Sequence, residues 1–112
     1  MLIVDSPTTK EELRKMAKRG FGDLVKAVVD VKRHVMAIDA SLHADEEALL
    51  LSQGSQQTDV WGVNLYPDLD GDDFIEFDSM INVRPSEGNM SRNIQDIHLQ
   101  KEIRAVIAAL IR

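Results

Sequence analysis

The sequence predicts an α+β fold, an antiparallel sheet of about five strands with an amino-terminal and a carboxy-terminal helix packed on one face. Three observations lead there. A helical stripe lies near each end of the chain, and between them apolar residues recur at period two. Short polar turns separate the alternating segments. With 112 residues, 44% hydrophobic and 29% charged, the chain has the size and composition of one globular domain over residues 1–112.

Leu2 to Val4 reads as a short extended piece. Thr8 followed by Glu11 has the capping-box spacing, in which hydroxyl and carboxylate satisfy backbone donors left open in a first helical turn. Leu13, Met16 and Ala17 continue it as a helical stripe, with Gly20 as the stop and Lys10, Arg14, Lys15, Lys18 and Arg19 on the solvated side. From Asp23 the period changes: Val25, Ala27, Val29 and Val31 share one face, and Lys26, Asp30 and Lys32 the other. Lys32-Arg33-His34 suits a tight turn into a second strand, VMAI at 35–38.

The run ALLL at 48–51 is too short to assign by period. Glu46, Glu47 and the Ala-Leu sequel favour a helix by propensity, but its place between strands and the Gln53-Gly54-Ser55 stop favour a buried strand, and strand is the expectation. Val60 to Tyr66 and Phe74 to Arg84 alternate as two further strands. Trp61, in phase with Val63 and Leu65, belongs to the core. PSEGNMSRN at 85–93 is a loop by composition. Asp96 then caps a last helix whose apolar face is Leu99, Ile103, Val106, Ile107 and Leu110.

The formal charge of −6 opposes non-specific binding to nucleic acid, which needs lysine and arginine to displace counterions from phosphates. Its distribution is uneven. Residues 35–80 carry eleven acidic and no basic side chains, whereas residues 1–34 carry eight basic and five acidic, and residues 81–112 five and three. Either basic residues from the two ends close over the acidic block, or the block concentrates negative potential for a cation or basic partner. The absence of cysteine excludes disulfides, thiolate metal sites and a cysteine nucleophile, and agrees with a cytoplasmic protein. The first residues hold too few apolar side chains for a signal-peptide core. AVIAALI at 105–111 is far short of the roughly 20 residues that cross a bilayer, so no membrane contact is expected.

DLDGDDFIEFDS at 68–79 has the look of a calcium loop, with Asp68, Asp70 and Asp72 at positions 1, 3 and 5. Asp73, however, stands where the loop needs glycine, Ser79 where it needs a bidentate glutamate, and the flanks are strand-like. An acidic turn is the expectation. His43, Asp45 and Glu47 alternate and, in an extended segment, would point the same way, with Glu76 or Asp78 able to complete a divalent-cation site from a neighbouring strand. No cofactor is predicted; a divalent cation is the one addition that His43, Asp45 and Asp78 would suit.

The polar strand face is the stronger candidate. Glu76, Asp78, Asn82 and Arg84 lie in phase, with Asn64 and Tyr66 on the preceding strand and Asn89, Ser91 and Arg92 in the following loop. Asparagine is disfavoured in mid-strand, and asparagines and arginines together recognise anionic or amide-bearing groups. The opposing expectation is a solvated face held by cross-strand pairs. No nucleophile elbow or phosphate-binding glycine loop is present, and Ser79 and Ser91 have no argued histidine partner.

HADEEALLL, WGVNLYP, IEFDSMINVRP and NMSR, with FGDLVKAVVDV near the start, resemble a small bacterial family of about this length classed as a domain of unknown function. The resemblance covers nearly the whole chain and implies recurrent polar positions at His43, Asp45, Asn64, Tyr66, Glu76, Asn82, Arg84, Asn89, Ser91 and Arg92. It implies no activity, cofactor or substrate. It shifts weight from the aspartate triplet to the polar face and the 85–93 loop. Two expectations follow. The first is a non-catalytic binding or interaction module that takes a small polar ligand or an unknown protein, with a homodimer compatible. The second is a small metal-dependent hydrolase using His43, Asp45 and Glu76 or Asp78.

Overall fold

The structure is a computed structural model that describes residues 1–112. In chain order it contains β1 (Leu2–Val4), α1 (Lys10–Arg19), β2 (Val25–Asp30), β3 (Val35–Ile38), α2 (His43–Ser52), β4 (Val60–Leu65), β5 (Ile75–Glu76) and α3 (Ile97–Leu110). The five strands form one sheet in the order β1-β3-β2-β4-β5, and every neighbouring pair is antiparallel. No helix is long and apolar enough to cross a membrane.

The alternation of β2 divides the interior. Val25, Ala27 and Val29 join Leu13, Met16 and Ala17 of α1, Ile103, Val106, Ile107 and Leu110 of α3, and Trp61, Val63 and Leu65 of β4 in the larger apolar cluster. Val28, between them and on the opposite side of the pleat, packs with Ala37, Val60 and Leu50 of α2 in a smaller one. Trp61 is buried in the larger cluster, as its phase requires.

Local chemistry accounts for the ends of the elements. The cap of α1 is Thr9, one residue later than the capping-box spacing suggests: its hydroxyl accepts from the Glu12 N–H at 3.2 Å. Thr8 is instead tied to the carboxy end, donating to the Leu110 carbonyl at 2.8 Å and accepting from the Arg112 N–H at 2.9 Å. The β2–β3 turn is held by Asp30, whose Oδ1 accepts from the amides of Lys32 and Arg33, both at 2.9 Å. His34 takes the left-handed conformation that closes the turn, with φ 57°. Asp96 caps α3 by accepting from His98 and Leu99.

Two expectations are overturned. Residues 48–51 are not a strand but the second half of α2. The helix buries His43, Glu46 and Leu50 at helical spacing, and because two of the three are polar its amphipathic pattern is invisible to an apolar period. The strand expected from Phe74 to Arg84 pairs only over Ile75–Glu76 and then gives way to a single turn of 3₁₀ helix at Met80–Asn82. Its cause is Gly62 of β4. A Cβ there would lie 2.7 Å from the Ser79 side chain, so the 79–82 segment presses onto the bare backbone of β4 instead of running beside it. The 85–93 loop contains one further 3₁₀ turn, Pro85–Glu87.

Basic residues from both ends of the chain pair with the acidic connection, whose carboxylates remain exposed. Arg14 and Lys10 of α1 reach Asp68 and Asp70 at 2.8 Å each, and Arg104 of α3 reaches Asp72 at 3.8 Å. The Lys10 ammonium, first by its hydrogen bond and then by its charge, holds the Asp70 carboxyl below its ordinary range.

Candidate functional site

The polar residues singled out by the sequence separate into two groups with different chemistry. Asn82, Arg84 and Asn89 form the first, and their hydrogen bonds are spent on the protein itself. Asn82 lies over Gly62, its Oδ1 accepting from the Gly62 N–H at 2.8 Å and its Nδ2 donating to the Gly62 carbonyl at 2.9 Å and the Arg92 carbonyl at 3.1 Å. The side-chain amide thereby takes the place of the missing strand. Asn89 Nδ2 donates to the carbonyls of Asn82, Ser91 and Asn93 at 2.6, 2.9 and 2.8 Å, while its Oδ1 accepts from the Gln95 N–H at 3.0 Å. Ser91 Oγ also turns inward, to the Asn93 carbonyl at 3.3 Å.

Arg84 is buried, with its guanidinium 4.2 Å from the Trp61 ring centroid. It donates to the carbonyls of Ile81 at 2.9 Å, Gln57 at 2.7 Å and Val60, and to Glu47 Oε2 at 3.4 Å. Burial lowers the pKa of the guanidinium, while Glu87 and Glu47 act to raise it. Glu47, expected beside the divalent-cation set, is an ion-pair partner of this arginine.

The second group lies between α2 and the sheet. Register places Lys26, Asn64 and Glu76 in one row across β2, β4 and β5. Asn64 Nδ2 donates to Glu76 Oε1 at 2.8 Å and to the Asp78 carbonyl at 3.2 Å, and the Tyr66 hydroxyl donates to the same Glu76 oxygen at 3.1 Å. Desolvation, followed by this bond to Glu76, raises the Tyr66 pKa. Asp78 Oδ1 accepts from Arg92 Nε at 2.6 Å. His43 and Glu46 face this layer from α2. His43 Nε2 lies 2.8 Å from the Val63 carbonyl, so Nε2 carries the proton and Nδ1 is a bare acceptor in the neutral ring. Burial lowers the His43 pKa against the opposing effect of that bond.

Glu46 is fully buried. Its Oε2 accepts from the Ala40 N–H at 3.0 Å, and its Oε1 has no partner. Burial pushes its pKa up to about 9, so the side chain is a neutral acid at pH 7. Asn64 Oδ1 is likewise buried and unpartnered. The layer therefore contains two of the three orphaned buried side-chain atoms, the third being Trp61 Nε1.

A cavity of ≈ 190 Å³ opens at the edge of this layer, lined by Lys26, Leu42, His43, Ala44, Ser79, Met80, Ile81 and Arg92. The first turn of α2 forms one wall. Its cap position is Leu42, which supplies no side-chain hydrogen bond, and the amides of His43 and Ala44 donate none. Asn89 lines a different, ≈ 340 Å³ cavity beside Trp61 and His98, and Asn82 and Arg84 line neither. The single concavity expected for Asn64, Glu76, Asn82, Arg84 and Arg92 is therefore divided. Arg92 reaches the smaller cavity, Asn64 and Glu76 lie in the polar layer behind it, and the others hold the scaffold.

The divalent-cation set is not assembled. His43 and Asp45 sit two positions apart on a helix, about 200° around its axis, instead of on one face of an extended segment. Asp45 lines a surface depression with Met1 and Asp39, away from the His43 cavity, and Asp78 is engaged by Arg92. No three His, Asp or Glu side chains converge in a way that would hold a metal ion.

Sequence reasoning missed Lys26 and Glu46 as members of the layer. Lys26 reads as one solvated residue of an alternating strand until the register sets it opposite Asn64. Glu46 requires the helix that the apolar count concealed. No curated protein and no solved structure matches the chain. A family model does match, over residues 2–110, and the chain belongs to that family, described as a protein of unknown function, DUF5674.

Proposed function

We propose that the chain is a non-catalytic binding module for a small anionic ligand seated at the amino-terminal end of α2, where the polar sheet face meets the end of the 85–93 loop. The observation that carries this reading is the uncapped first turn of α2, open to a cavity that it shares with Lys26, Arg92 and His43. Free amides at a helix start attract anions through their hydrogen-bond donors and the helix dipole, and two cations beside them add to the attraction. His43 supports the reading independently. Its ring is almost wholly buried and lines the cavity, yet Nδ1 makes no hydrogen bond within the protein. Such a nitrogen suits a ligand hydroxyl, or a ligand oxygen once the ring is protonated.

Asp78 anchors Arg92 of the cavity lining, and Glu76 holds Asn64 and Tyr66 in the adjoining polar layer. Titration of the isotope-labelled protein with inorganic phosphate, followed by amide chemical shifts, tests the reading. Saturable shifts are expected at Lys26, His43, Ala44 and Arg92, with affinity reduced at least about fivefold in Lys26→Gln and Arg92→Gln. If neither phosphate nor acetate produces saturable shifts at these residues, the reading fails.

A further inference from the structure

We propose that the ligand of this cleft is an organic anion whose apolar part lies over Leu42 and Met80, with the charged head at the start of α2. The proposal rests on the anion reading above and adds the chemical class of the rest of the molecule. Leu42 is in an unusual position twice over. It occupies the helix cap, where serine, threonine, aspartate or asparagine would close the open amides and leucine is among the least favoured residues. It is also 57% exposed. Met80, across the cavity on the 3₁₀ turn that Gly62 holds down, is 66% exposed.

A polar residue at either place would cost the fold nothing visible in the packing, since neither side chain belongs to an apolar cluster. A capping residue at 42 would moreover compete with an anion for the same amides. Two large apolar side chains on the rim of a cavity whose wall carries cations and free N–H groups together match an amphiphile. The size of the cavity agrees. Its ≈ 190 Å³ is the space of about six water molecules, enough for a carboxylate or phosphate and its first carbons, so a longer tail must leave across the rim where Leu42 and Met80 stand. Methionine adapts to tails of varied shape.

The experiment compares probes with the same head: acetate with hexanoate, and inorganic phosphate with hexyl phosphate, each by calorimetry and by amide shifts. For at least one head, the six-carbon form is expected to bind at least about tenfold more tightly, a gain that burial of two methylenes would supply. Met80→Ser and Leu42→Ala are each expected to remove most of that gain while leaving the affinity for the short anion within about twofold. Short anions that bind while their six-carbon forms bind no more tightly would overturn the tail and leave the anion reading intact. A gain that survives both substitutions, or shifts that spread equally to the exposed Phe21 and Ile97, would also overturn it, since the tail would then be held elsewhere. No saturable shift at Lys26, His43 or Arg92 with any of the four probes would overturn both proposals together.

Discussion

Two polar regions of this molecule each have buried side chains at their centre, Asn82, Arg84 and Asn89 in one and His43, Glu46 and Asn64 in the other, and differ in what remains to be bonded. The side chains of Asn82, Arg84 and Asn89 themselves leave no buried nitrogen or oxygen without a partner, and the one orphan beside them is Trp61 Nε1. Between α2 and the sheet, Glu46 Oε1 and Asn64 Oδ1 have no partner, and the first amides of α2 have none either. A fully satisfied polar network fixes one backbone arrangement, whereas a partly satisfied one carries a cost that a bound molecule can relieve. The contrast teaches that asparagine and arginine in an unexpected place mark a site only when their bonds are not already used. By that criterion Arg84, which looks in the sequence like the recognition residue, belongs to the scaffold, and Lys26, which looks like a surface residue, does not.

The largest effect expected from breaking this contrast is at Arg84. Arg84→Ala leaves the buried Val60 carbonyl and the part-buried carbonyls of Ile81 and Gln57 without their donor, leaves Glu47 without its cation, and exposes one face of Trp61. A loss of about 3 kcal/mol or more in urea denaturation is expected. Arg84→Lys should recover little of it, because an ammonium cannot span the separate carbonyls that the guanidinium fork reaches. A fully stable Arg84→Ala protein would return Arg84 to the candidate site.

Glu46 comes next, and its effect depends on pH. Its folded pKa, about 9, lies above the ordinary 4.5. Below pH 4.5 both states hold the proton and the group is silent. As pH rises toward 9 the unfolded chain releases the proton while the folded one keeps it, so stability falls by up to about 1.4 kcal/mol per pH unit. Glu46→Gln keeps the shape and removes the titration. Its stability relative to the parent should therefore climb steadily between pH 5 and pH 8 in paired denaturation curves. A constant difference across that range would mean that Glu46 is ionised in the folded protein. His43 has the opposite sign: burial lowers its pKa, so its contribution is lost as pH falls below the ordinary imidazole range.

How much of this was legible beforehand follows from the same physics. The helix at 10–19, the hairpin around Lys32-Arg33-His34, the strand at 60–65 and the Asp96-capped last helix all declare themselves through apolar period and turn or cap chemistry. The second helix did not, because its buried face is His43, Glu46 and Leu50, and a face built of polar residues leaves no apolar stripe. Alternation from Ile75 to Val83 promised a long strand. It delivered a short one because Gly62 and the Asn82 amide offered the backbone another partner, at a sequence distance of 20 residues. Of the candidate site, the residue types His43, Asn64, Glu76 and Arg92 were legible. Their grouping was not, since it depends on the register that sets Lys26 beside Asn64 and on the helical phase that parts His43 from Asp45.

The smallest effect on stability is expected at Lys26, and there the contrast is sharpest. The ammonium makes no hydrogen bond or ion pair within the protein and lies 5.3 Å from the Phe21 ring centroid, a weak contact at a partly exposed site. Lys26→Gln should change the stability by no more than about 0.5 kcal/mol. Its electrostatic consequences should nevertheless be visible on two residues of α2. Burial, opposed by the Val63 bond, is the main cause of the lowered His43 pKa, and Lys26 lowers it further; burial, opposed by the Ala40 bond, raises Glu46, and Lys26 counteracts that rise. Without the ammonium, both pKa values should move up when the side chains are titrated by carbon-detected NMR. Parallel upward shifts would establish Lys26, His43 and Glu46 as one electrostatic unit, able to hand a ligand's charge on to the protonation of α2. Unchanged titrations would divide the layer into independent groups, and the proposed anion site would then rest on the helix amides and Arg92 alone.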